Sequence, residues 1–254
     1  MALSARQCVE MFHLVLLRAL AAKGQDKALI ALKGGCNLRF YFGSVRYSED
    51  IDFDVVVLAP GTLKNKVERL LHSALMTAPL KTQGIEITDS TAPKQTDTTQ
   101  RWKVGLRARH IEVPIRTKIE FSRRDEIDAA AFESVGRELL RPYGLTQVLA
   151  THYTVHAAID QKIHALAGRA EPQARDIFDL NLLLSRPDVG KAVSSAAQLR
   201  RLPDAIEHAI SISFDEYRAK VVAYLDPEQA ALYESRAAWD AMQDAVVAQL
   251  QGLQ

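Results

Sequence analysis

Residues 33–55 read KGGCNLRFYFGSVRYSEDIDFDV, and the last six of them decide how the rest of the chain is read. Asp50, Asp52 and Asp54 alternate with Ile51, Phe53 and Val55. That is the period of a strand with one wet and one buried face, so the three carboxylates point the same way. Like charges held so closely repel unless a cation sits among them. Hard oxygen ligands in this arrangement suit Mg²⁺, which takes one or two protein carboxylates together with substrate phosphates. The bland alternative is an amphipathic edge strand with its acids in water.

Upstream, Gly34-Gly35 ends the apolar run ALIALKGG (28–35) and lies 15 residues before Asp50, counted from Gly35. Paired glycines let backbone N–H groups approach phosphate oxygens, and a following helix start adds its positive end. Downstream, IRTKIEF (115–121) alternates Ile115, Thr117, Ile119 and Phe121 with Arg116, Lys118 and Glu120. If this strand pairs beside 51–58, Glu120 becomes a third carboxylate, placed to share a metal or take a proton from an attacking hydroxyl. A solvent-exposed Glu is the competing reading.

Around this centre the first half mixes helix and strand. Residues 4–23 read as a helix closed by Lys23-Gly24, 37–42 as one or two helical turns, 51–58 as a strand and 62–77 as a helix. Strands are expected at 85–90, 102–111 and 115–121, with TAPKQTDTTQ (91–100) as a loop. From about Ala129 apolar positions recur at three and four, which predicts helices over 130–140, 146–168, 173–185, 195–210, 214–224 and 227–250. The charged SRRDEID run near 122–130 marks the boundary, giving domains 1–125 and 126–254. The fold class is α/β (α+β), a small mixed sheet with flanking helices and a C-terminal helical lobe that closes over the site.

Composition narrows the function classes. The 254 residues are 48% hydrophobic and 25% charged, with Lys plus Arg 32 against Asp plus Glu 31 and a formal net charge of +1. That excludes a strongly basic nucleic-acid coat and an acidic disordered tail. Two cysteines, Cys8 and Cys36, make neither a disulfide scaffold nor a four-cysteine zinc site. No apolar stretch reaches the roughly 20 residues needed to span a bilayer, so a cytoplasmic protein is expected. His152, His156 and His164 would lie near one helix face, a weak zinc candidate without a third ligand type beside it. Cys36 reads as a small packed residue. Trp102 with Arg101, Arg107 and Arg109 reads either as a basic strand for nucleic acid or as strand packing.

The order of glycine pair, short helix, Asp-Ile-Asp strand and later acid resembles the polymerase-β-like nucleotidyltransferase superfamily. Its longer form is similar to the AbiEii/AbiGii nucleotidyltransferase toxins, on Gly34, Gly35, Leu38, Arg39, Arg46, Ser48, Asp50, Ile51 and Asp52. The glycine-to-acid spacing is slightly longer than the superfamily's usual range. A second block, IDQKIHALAGRAEPQARDIFDLNLLL (159–184), resembles the group's later motif through Lys162, Ala165, Arg169, Arg175, Asp176 and Asp179. Asp160 departs from it, standing two residues before Lys162 where the motif has three.

The resemblance implies transfer of a nucleoside monophosphate from an NTP to an RNA end, with tRNA the favoured acceptor, and a cognate antitoxin as partner. It implies Asp50, Asp52 and Glu120 as ligands for two Mg²⁺. Gly34, Gly35, Arg46, Ser48, Lys162 and Arg169 would hold the nucleotide, and Asp176 would orient Lys162 or catch the substrate. Ser48 is also a candidate modification site, since a phosphate there would put negative charge beside the acids. The alternatives are a nucleotidyltransferase acting on a small molecule such as an antibiotic, and a non-catalytic nucleotide- or RNA-binding module.

Overall fold

The computed structural model describes residues 2–22, 27–187, 189 and 196–253. The chain divides into two compact units, Met1–Tyr41 with Tyr47–Tyr153, and Phe42–Arg46 with Thr154–Gln254. The division at Tyr153–Thr154, rather than near residue 126, follows from two short strands that sequence periodicity reads as helix.

The first unit opens with α1 (Ala5–Ala21), whose N-terminus is closed by a capping box in which Ser4 accepts from the Gln7 amide and Gln7 Oε1 accepts from the Ser4 amide at 2.8 Å. The Lys23-Gly24 stop expected for it lies outside the described residues. Then come β1 (Ile30–Lys33), α2 (Gly34–Tyr41), β2 (Asp50–Val55), α3 (Pro60–Leu71) and α4 (Ala74–Thr82). The single helix expected over 62–77 is two, broken where the His72 cap turns the chain and Ser73 opens the next helix. Next are β3 (Ile85–Gln95), β4 (Thr99–Ala108), β5 (Ile111–Arg123), β6 (Ala130–Ser134), α5 (Arg137–Leu140) and β7 (Leu149–Tyr153).

The seven strands form one mixed sheet in the order β3-β4-β5-β2-β1-β7-β6. β2 lies parallel to β5 and antiparallel to β1, and β1 is parallel to β7. The segment 91–100 is not a loop. Its residues extend β3 and β4 into a long antiparallel hairpin, with register shifts between Ile87 and Asp89 and between Thr91 and Lys94. Residues 130–134 and 149–153 pair with each other as strands instead of joining helices.

One face of this sheet is dry. Ile51, Phe53, Ile119, Phe121, Trp102 and Val104 are buried there with the apolar side of α1. Phe53 stacks on Phe121 at 4.9 Å between centroids, and Trp102 meets Phe121 edge-on at 5.8 Å. Each large side chain so buried contributes about 1.5–3 kcal/mol. Trp102 is therefore a packing residue, which removes it as a base-stacking platform.

The second unit holds α6 (Val155–Gly168), α7 (Ala174–Leu184), α8 (Ala196–Leu199), α9 (Leu202–Ser211), α10 (Phe214–Lys220), α11 (Pro227–Tyr233) and α12 (Arg236–Gln251). The long final helix expected over 227–250 is broken at Glu234, and Ser235 caps α12 by accepting from the Ala238 amide at 3.1 Å. Residue 195, the expected start of another helix, lies outside the described residues. Tyr217 stacks on Trp239 at 4.5 Å in the middle of this unit. No helix among the described residues is long and apolar enough to cross a membrane.

Candidate active site

The acidic strand sits as its alternation requires. Ile51, Phe53 and Val55 are buried, while Asp50 and Asp52 lie on the polar face with partial exposure. The parallel register of β2 and β5 sets Asp50 beside Lys118 and Asp52 beside Glu120. This is the juxtaposition that the two separate sequence stretches predict, and it puts three carboxylates in adjacent positions on one sheet face.

The three aspartates do not share one fate. Asp54 is 4% exposed at its side chain and held on three sides. Lys33 Nζ lies 2.6 Å from Oδ1, Arg124 Nε lies 3.3 Å from it, and the Tyr153 hydroxyl donates to Oδ2 at 2.9 Å. A carboxylate so neutralised is a structural anchor for β2. Asp50 and Glu120 are more open, with side chains 32% and 26% exposed. Lys118 Nζ lies 2.8 Å from Asp50 Oδ2, and Arg101 reaches Glu120 Oε2 at 2.6 Å.

Gly34 begins α2 at φ +68°, and a Cβ there would stand 2.9 Å from Asp52 Oδ2. The glycine is thus needed twice, for its left-handed backbone and for the space beside the carboxylate. Gly35 continues the first turn of α2. Ser48 donates its hydroxyl to the Asp50 carbonyl at 2.8 Å, which ties the strand's entry.

Among the described residues, no three His, Cys, Asp or Glu side chains form a ready-made metal cluster. The donor chemistry nevertheless fits a hard divalent cation. Asp50 and Asp52 offer carboxylate oxygens on one face, and the heads of Lys118 and Arg101 already mark where positive charge is stabilised beside Asp50 and Glu120.

In the second unit the later motif forms a buried charge cluster. Lys162 Nζ lies 2.6 Å from Asp179 and 3.0 Å from Asp176, both fully buried. Arg46 donates to both Asp179 oxygens at 3.2 and 3.1 Å, and Arg169 Nε lies 3.2 Å from Asp176. Burial pulls the Lys162 ammonium down, but Asp179 and Asp176 outweigh it and hold its pKa above the ordinary value. Burial likewise pushes Asp179 up, and Arg46 and Lys162 outweigh it, so it stays below the usual carboxylate range. Arg169 is the most exposed cation of this group, with a side chain 36% exposed. Lys162 and Arg46 are each engaged with carboxylates, Lys162 with Asp176 and Asp179 and Arg46 with Asp179.

Other sequence candidates resolve simply. His152 lies on β7, not on a helix, and stacks flat on Tyr41 at 3.5 Å. The three-histidine helix face therefore does not exist. His156 meets the Val189 carbonyl at 3.0 Å. Arg39 of the first motif pairs with buried Glu10 at 2.5 Å and lies over the Tyr47 ring at 4.2 Å, a structural role. What the sequence reading missed are the site's cationic partners Lys118 and Arg101, and the neighbours of Cys36. Lys118 stands in plain alternation with Glu120 on β5, and Arg101 is the residue paired across from Glu120 on β4, so strand register could have found them.

A glycine turn thus stands against an acidic strand, with a third acid on the parallel neighbour. The chain belongs to the AbiEii family of nucleotidyltransferase toxins of type IV toxin–antitoxin systems, whose sequence profile matches residues 15–251. Membership makes it the toxin of such a pair, with an NTP as substrate and an antitoxin as partner. Solved structures of similar fold include the nucleotidyltransferase toxin MenT4 from Mycobacterium tuberculosis H37Rv, at 20% identity and a TM-score of 0.66 over 98% of this chain and 85% of that one. JHP933 from Helicobacter pylori is similar at 20% identity and a TM-score of 0.61, over 99% of this chain and 96% of that one. No curated protein matches the sequence.

Proposed function

We propose that this enzyme moves a nucleoside monophosphate from an NTP to the end of an RNA, with tRNA as acceptor, and that it does so in the cytoplasm with Mg²⁺. The observation that carries the reading is the register of Asp52 beside Glu120, with Gly34 packed against Asp52. Asp50 and Asp52 would hold two Mg²⁺, with Glu120 as the third carboxylate. When bound, the metal neutralises the triphosphate and acidifies the acceptor hydroxyl. Glu120 is the base that takes the hydroxyl proton. The acceptor oxygen bonds to the α-phosphorus, the α–β bridging P–O bond breaks, and pyrophosphate leaves. Backbone amides at Gly34 and Gly35 hold phosphate oxygens at the start of α2, and Ser48 fixes the backbone of Asp50.

From the later motif, Arg169 is the cation we assign to the triphosphate, because it is the most exposed. Lys162, Arg46 and Asp176 support it from within the buried cluster, Lys162 contributing fixed positive charge. The test is label transfer from each α-labelled NTP into total RNA. Label in a tRNA-sized band that disappears with Asp52→Ala, by at least about a hundredfold as expected when a charge-stabilising group is removed, supports the reading. Label that survives Asp52→Ala refutes the site, and pyrophosphate release without labelled RNA points to a small-molecule acceptor.

A further inference from the structure

His13 is an anomaly in α1. Its neighbours Phe12, Leu14, Val15, Leu16 and Leu17 are all buried apolar residues, and the imidazole itself is 1% exposed. A buried polar ring is tolerated only where both nitrogens find partners. Here Nε2 lies 2.7 Å from Thr117 Oγ1, and Nδ1 lies 3.4 Å from Cys36 Sγ. Both partners go on to the backbone at the start of β2. Thr117 Oγ1 donates to the Glu49 carbonyl at 2.7 Å, and Cys36 Sγ lies 3.4 Å from the Asp50 carbonyl.

The hydrogens can be counted. The Thr117 hydroxyl has one proton, which goes to Glu49, so its oxygen must accept from His13. That fixes the imidazole as the neutral Nε2–H tautomer, with Nδ1 as an acceptor facing the Cys36 thiol. Burial keeps the ring neutral, its pKa pushed down to about 3. The thiol's one proton then goes to Nδ1, so Cys36 Sγ only touches the Asp50 carbonyl, and the ring reaches the start of β2 by hydrogen bonds through Thr117 to the Glu49 carbonyl. Glu49 precedes the first ladder pair, Asp50 with Lys118, so the Thr117 bond does there what a ladder bond does further along. On the opposite face, the next residue of β5, Lys118, holds the Asp50 carboxylate itself.

We propose that His13 is a positioning residue for the metal-binding acids, acting through Thr117 as a brace that fixes the entry of β2 and with it the direction of the Asp50 carboxylate. This rests on the assignment of Asp50 and Asp52 to the metal. Thr117→Val keeps the shape and removes the bridging hydroxyl, and His13→Leu removes the ring that donates to it.

Mn²⁺ binding to the purified full chain without nucleotide, read by the electron paramagnetic resonance of free Mn²⁺, should weaken five- to twentyfold in each variant. The double variant should be no weaker than the worse single, because both break one chain of bonds. The Mg²⁺ concentration for half-maximal label transfer should rise in parallel, while the rate at saturating Mg²⁺ stays within about threefold. A purely structural role would lower the unfolding temperature without moving metal affinity. Imidazole ¹⁵N shifts should report the Nε2–H tautomer in the wild type. Wild-type Mn²⁺ affinity in folded Thr117→Val, additive losses in the double variant, or the Nδ1–H tautomer overturns the brace. If Asp52→Ala weakens Mn²⁺ binding and Thr117→Val does not, only the brace fails. If Asp52→Ala leaves it unchanged, the metal assignment falls and takes the brace with it. Should His13→Leu not fold, Thr117→Val decides alone.

Discussion

Gly34 joins backbone geometry to chemistry at one atom. Its φ of +68° is a left-handed conformation, and the missing Cβ leaves room for Asp52 Oδ2. An alanine there costs about 1 kcal/mol for the backbone alone, and its methyl, at 2.9 Å, must also displace a carboxylate oxygen. The two penalties differ in where they fall. The first lowers stability slightly, while the second rotates the Asp52 side chain, which we assign to the metal. Gly34→Ala is therefore expected to fold, to lose about 1–2 kcal/mol in chemical denaturation, and to lose at least about a hundredfold in label transfer. A variant that loses stability and activity in proportion would mean that the glycine serves the turn only. The need for Gly34 was legible as a motif. That Asp52 is the reason for it was not, because the contact joins residues of different elements.

At the scale of elements, legibility tracks how one-sided the burial is. β2 and β5 alternate cleanly, Ile51 and Phe53 in one and Ile119 and Phe121 in the other turning inward, so both were readable. β3 beyond Ile87 is half-exposed or exposed throughout and offers no period, so its extension through Gln95 passed for loop. β6, with the sequence AAFES, carries two alanines, good helix formers, and is a strand only because β7 pairs with it. His13 was invisible as a site residue for a related reason. Its partners stand 23 and 104 positions away, and nothing local marks the pairing.

The α6–α7 pair shows the opposite case, a motif legible in sequence whose role the geometry changes. Lys162 faces two buried carboxylates, and without its ammonium Asp176 and Asp179 would lie buried beside each other with Arg169 and Arg46 in support. Breaking a buried pair by removing one partner costs about 3–5 kcal/mol. Lys162→Met should thus destabilise the second unit by about that amount. Lys162→Met with Asp179→Asn should recover part of it, measured by urea unfolding with Trp239 as the reporter. Unchanged stability in the single variant would return Lys162 to the role of a mobile phosphate ligand.

Over the whole molecule, the titratable interiors of the two units respond to different ranges of pH. In the second, Asp179 titrates below its ordinary value, so its contribution is complete above about pH 4 and is lost only as pH falls further. Lys162 titrates above its ordinary value, so its contribution holds below about pH 10.5 and is lost as pH rises beyond that. The first unit keeps His13 neutral down to about pH 3 by burial. The unfolded chain binds a proton there from about pH 6.5 downward and the folded one refuses it, so stability is full above pH 6.5 and falls with acidification. His152, also lowered mainly by burial, acts in the same direction. His13 alone accounts for about 2 kcal/mol between pH 7 and pH 5. Hydrogen exchange corrected for its intrinsic pH dependence should therefore show the strands β1, β2 and β5 losing protection at pH 5 while α6 and α7 keep theirs. His13→Leu, already less stable at pH 7, should lose less on going to pH 5 than the wild type does. Earlier opening of α6 and α7 would contradict the assignment of the acid-sensitive interior to the unit that carries β2.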